Sequence, residues 1–197
     1  MRKIESKYIK DSLKKCGIGI ETDSISIMPY LGYYHKHNWD HGYDAIYGYN
    51  GSRREFYKDM EISVDCLDEY FKCRDIDSII IAPCHNLSQF NYKFDKDDEN
   101  NDIIQEILEL MKKNRIRRGA QSGIEIPIQD RNVIEMAVEG AFRGVSKFCF
   151  FSAKANILIE PDHHFCITFW TRHINEEKEL LYHIVRKYPD LIFFEKS

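Results

Sequence analysis

The sequence lacks any long apolar run. Its longest are short, such as Ile79-Ile80-Ile81-Ala82, far below the roughly 18 to 20 residues that a membrane-crossing helix needs. It lacks a C-x-x-C pair among its six cysteines, so thiolate zinc sites of paired spacing are excluded. It lacks both common phosphate-loop patterns; Gly17-Ile18-Gly19 follows a helical pattern and has no third glycine. It has only five prolines and no low-complexity linker or internal repeat, which argues against separate modules. It also lacks an excess of positive charge. The formal net charge is −4, so non-specific nucleic-acid binding is not the default expectation.

What is present is enough to fold. Hydrophobic residues make up 43% of 197 residues and aromatics 13%, too much for a disordered chain. This length suits a single domain over residues 1–197. The start, Met1-Arg2-Lys3-Ile4-Glu5-Ser6-Lys7, is basic without a following apolar stretch. No secretory signal is therefore expected, and the location expected is cytoplasmic, with reduced core cysteines.

Periodicity predicts helices over 3–16, 63–73 with Ser63 as N-cap, 102–113, 130–142 and 175–187. Strands are expected at 77–82, 124–128, 148–151, 157–159, 166–170 and 191–194, with less regular alternation at 18–28. Gly119 and Gly123 bracket an expected turn, and Glu160-Pro161-Asp162-His163-His164 reads as a linker between two strands. The strands cluster late. The class expected is α+β: mostly antiparallel sheet, several packed helices, and a C-terminal β-meander followed by a helix and a strand.

Residues 29–57 break the pattern. They hold seven of the twelve tyrosines, Trp39, three histidines and four of the ten glycines. We expect a long ordered loop, of a length that usually carries function. Tyr33, Tyr34, Trp39, Tyr43 and Tyr47 are candidate contact residues, because large rings give much contact area at low entropic cost.

Inside that loop lies His35-Lys36-His37-Asn38-Trp39-Asp40-His41. Imidazoles and a carboxylate this close could wrap a zinc ion, with His35, His37 and His41 as ligands and Asp40 as ligand or base. The run resembles the HxHxDH signature of metallo-β-lactamase-fold hydrolases. It carries one residue too many before Asp40, which rotates Asp40 and His41 relative to the first pair, so the family is not carried over. A metal-dependent hydrolase is kept as the alternative function. Asp162-His163-His164 with Cys84-His85 is a weaker nucleophilic set, since nothing local lowers the Cys84 pKa.

The total charge hides a separation. Residues 95–109 hold Asp95, Asp97, Asp98, Glu99, Asp102, Glu106 and Glu109 against a single Lys96, a net charge of −6. Lys112, Lys113, Arg115, Arg117 and Arg118 follow. These cations complement a helix C-terminus and stay solvated. The acidic run is a candidate recognition surface for a basic partner, centred on Asp95, Asp97, Asp98, Glu99 and Asp102. The function expected is therefore protein binding without a cofactor, in the manner of a bacterial immunity or antitoxin-like inhibitor of a basic toxin such as a nuclease.

Overall fold

The computed structural model describes residues 1–15, 23–29, 52–83, 100–116, 122–146, 148–162, 166–189 and 191–195. Ile79 and Ile81 enter one apolar cluster, while Ile80 and Ala82 enter another on the opposite side of the same strand. That is the period of two that a strand imposes. A strand covered on both faces has no polar positions to alternate with, which explains the unbroken apolar run.

The strands are β1 (Arg2–Ile4), β2 (Asp23–Pro29), β3 (Ser78–Pro83), β4 (Gly123–Pro127), β5 (Phe148–Ser152), β6 (Ile157–Asp162), β7 (Cys166–Thr171) and β8 (Leu191–Glu195). Among the described residues they form one eight-stranded sheet in the order β1-β4-β3-β5-β6-β7-β2-β8. Every neighbouring pair is antiparallel. The helices are α1 (Ser6–Lys15), α2 (Ser52–Cys73), α3 (Asn101–Lys113), α4 (Arg131–Phe142) and α5 (Ile174–Val185). The α+β class and the C-terminal meander, β5-β6-β7 followed by α5 and β8, are as the sequence predicts.

Helices α2 to α5 cover one face. Phe56, Leu67 and Phe71 of α2 and Ile134 and Val138 of α4 share the large cluster with Ile81, Phe150 and Phe169 of the sheet. In this layer α2 packs on α4 and α5, and α3 packs on α4. The other face is capped by α1, whose Ile9 and Leu13 lie against Ile80, Cys149, Phe151 and Leu158. No helix among the described residues is long and apolar enough to cross a membrane.

Five expectations need correction. Residues 3 and 4 belong to β1, not to the first helix, because Ile4 is taken into the sheet opposite Gly123. Ser63 is not an N-cap. Helix α2 begins at Ser52, and the Ser63 hydroxyl donates back to the Asp59 carbonyl at 2.8 Å, the usual mid-helix use of a serine. Phe56 and Met60 extend the buried stripe upstream, so residues 52–57 leave the expected loop. Gly123 is in β4 rather than a turn. Pro161 and Asp162 lie in β6, opposite Ile167 and Cys166. Paired register with β5 ends at Ile159, so Pro161 lies beyond the paired part of that ladder, a place where its missing N–H is tolerated.

The cysteines divide. Cys66 and Cys149 are buried as free thiols, but Cys73 is exposed and Cys166 half-buried, so a wholly core role does not hold. Burial, with Glu69 and Asp65 nearby, pushes the Cys66 thiol up to about 12, which makes it inert as a nucleophile. Cys16 and Cys84 lie outside the described residues.

Candidate functional site

Helix α4 turns Ile134, Ala137, Val138 and Ala141 into the core. Off that stripe it carries Arg131, Glu135 and Glu139, with Arg143 as its C-cap, each four residues from the next. Residues four apart stack on neighbouring turns, so opposite charges at that spacing meet. The two arginines do so and also reach the adjoining helices. Arg131 donates from Nε to Glu135 at 2.7 Å. Its Nη1 lies 2.6 Å from Asp65 and 3.0 Å from Asp68, both on α2.

Arg143 is the more buried of the two, with a side chain only 1% exposed. Its Nε donates to Asn100 Oδ1 at 2.9 Å, and its Nη1 donates to Glu139 at 2.9 Å and to Asp102 at 3.2 Å. Its Nη2 reaches the other Asp102 oxygen at 3.0 Å. This is the bidentate fork that makes arginine the preferred cation in a buried polar cluster. The Tyr57 hydroxyl of α2 donates to Glu139 Oε1 at 2.9 Å. Arg143 thus ties α4 to the first turn of α3, and Glu139 ties both to α2.

The carboxylates outnumber these arginines. On α3 the stripe Asp102, Glu106 and Glu109 lies opposite the buried Ile103, Ile104, Ile107 and Met111, and all three acids are exposed. Among the described residues no basic side chain forms a salt bridge with Glu106 or Glu109. Burial first, then the charges of Glu139, Asp102 and Glu109, hold the Glu106 carboxyl above the ordinary glutamate range, and Arg143 only partly offsets them. Asp68 is likewise raised, chiefly by burial, although Arg131 and Lys72 pull it down. Glu135 and then Asp65 and Asp68 strengthen the hold of Arg131 on its proton. The outcome is an acidic surface running from α3 across α4 to α2, pinned at two points by arginines that are already committed.

A second buried ion pair is architectural. Glu177, 2% exposed, accepts from the Tyr70 hydroxyl at 2.8 Å and pairs with Arg74. It joins α5 to α2 beneath Phe169, whose ring meets Tyr70 edge-on at 5.0 Å. Its polar partners are Tyr70 of α2 and Arg74, the residue just past that helix, so it serves packing rather than ligand capture.

Of the candidates read from sequence, Asp102 is described and lies in the first turn of α3 on the Arg143 fork. Asp95, Asp97, Asp98 and Glu99 lie outside the described residues, as do Tyr33, Tyr34, Trp39, Tyr43 and Tyr47. The histidine cluster, His35, His37, Asp40 and His41, lies outside them too, as do Cys84, His85, His163 and His164. Among the described residues no group of three or more His, Cys, Asp or Glu side chains is placed to hold a metal ion. Sequence reasoning missed the α4 residues and Asp65, Asp68 and Tyr57. The signal for α4 was there: arginine, glutamate, glutamate and arginine at strict four-residue spacing. Comparison with family models, curated proteins and solved structures finds no match to this chain.

Proposed function

We propose that this protein is a protein-binding module, an immunity or antitoxin-like inhibitor of a basic partner such as a nuclease toxin, acting in the bacterial cytoplasm. One observation carries the reading: the acidic surface that continues from α3 onto α4 and α2, with Glu106 and Glu109 exposed and unpaired by any described cation. A basic partner gains twice on such a surface. Opposite charge speeds encounter, and the partner's cations relieve a repulsion already present among the acids. The run of acids at 95–99 directly precedes α3 and adds to the same field. The aromatic segment 30–49 would supply the apolar anchors that charge alone does not.

The test is charge reversal measured against the basic product of a toxin-like reading frame beside this gene. Glu106→Lys with Glu109→Lys, and separately Asp97→Lys with Asp98→Lys and Glu99→Lys, should each weaken capture at least tenfold. The loss should be greater at low salt than at high salt, because exposed charges are screened. Unchanged capture by both variants, with the fold intact by circular dichroism, would overturn the reading.

A further inference from the structure

We draw no further inference here: the strongest candidate, the sheet-face patch on β6 and β7 where the half-buried Trp170 donates to Glu160 beside Thr168 and Cys166, carries nothing, because nothing among the described residues shows what covers it.

Discussion

Tyr57 and Arg143, from different helices, meet on a single atom: both donate to Oε1 of Glu139 at 2.9 Å. A carboxylate oxygen has two lone pairs, and here one is taken by each neighbour. The two donors are therefore coupled through the acid between them. Arg143→Ala should cost about 1–3 kcal/mol of stability, since it removes a buried cation that donates charge-assisted hydrogen bonds to Glu139 and Asp102. Tyr57→Phe should cost about 1–2 kcal/mol, the loss of one hydrogen bond to a charged group in a half-buried site. In a double-mutant cycle by urea unfolding the two losses should not add, and strict additivity would show that Glu139 is not shared.

Glu106 gives a pH dependence with a definite sign. Its folded pKa lies above its unfolded value, so the folded state binds more protons in the window between the two. Its contribution therefore becomes less favourable as pH rises through that window. Glu106→Gln removes the repulsion and should raise stability at pH 7 by about 0.2–0.5 kcal/mol, the worth of an exposed like-charge pair at helical spacing. The gain should shrink as pH falls below the ordinary glutamate range and as salt is added. A melting temperature that falls at pH 7 would show instead that Glu106 has a stabilising partner.

Gly123 should tolerate no side chain. A Cβ there would stand 2.8 Å from Ile80 Cγ2, 2.8 Å from the Ile81 carbonyl oxygen and 2.9 Å from Ile9 Cδ1. Two of these are on β3 and one on α1, so relief must move both the strand and the helix. Gly123→Ala should cost about 1–3 kcal/mol through overpacking, read as a lower urea midpoint. A neutral result would mean that β3 and α1 both give way freely.

The histidine cluster has a direct check. The binding reading expects purified protein to carry no stoichiometric zinc by elemental analysis, and His37→Ala to leave stability unchanged within about 0.5 kcal/mol. One equivalent of zinc, lost in His37→Ala, would replace that reading with the metal-dependent hydrolase.

Legibility followed periodicity. Helices α3, α4 and α5 were readable to within a residue or two because each alternates apolar and charged faces cleanly. The start of α2 was not, since Phe56 and Tyr57 sit at the end of an aromatic stretch in which the period of 3.6 is lost. β1 was absorbed into the following helix because three residues cannot display a period of their own. Most of the site was hidden for another reason. Asp102 stood out as part of a charge run, but its partner Arg143 is 41 residues further along. Only the packing of α4 between α2 and α3 brings them together, and no local pattern encodes that contact.

The brevity of β1 has a consequence for solubility. It closes one end of the sheet with only three residues, and Arg2 and Lys3 are exposed there. So few backbone positions, flanked by two cations, make a poor template for a strand from another molecule. The next strand inward carries Ile124 and Ile126 and would be a far better one. The first four residues thus act as a guard on the sheet, and losing them would invite edge-to-edge aggregation while also taking Ile4 out of the smaller apolar cluster.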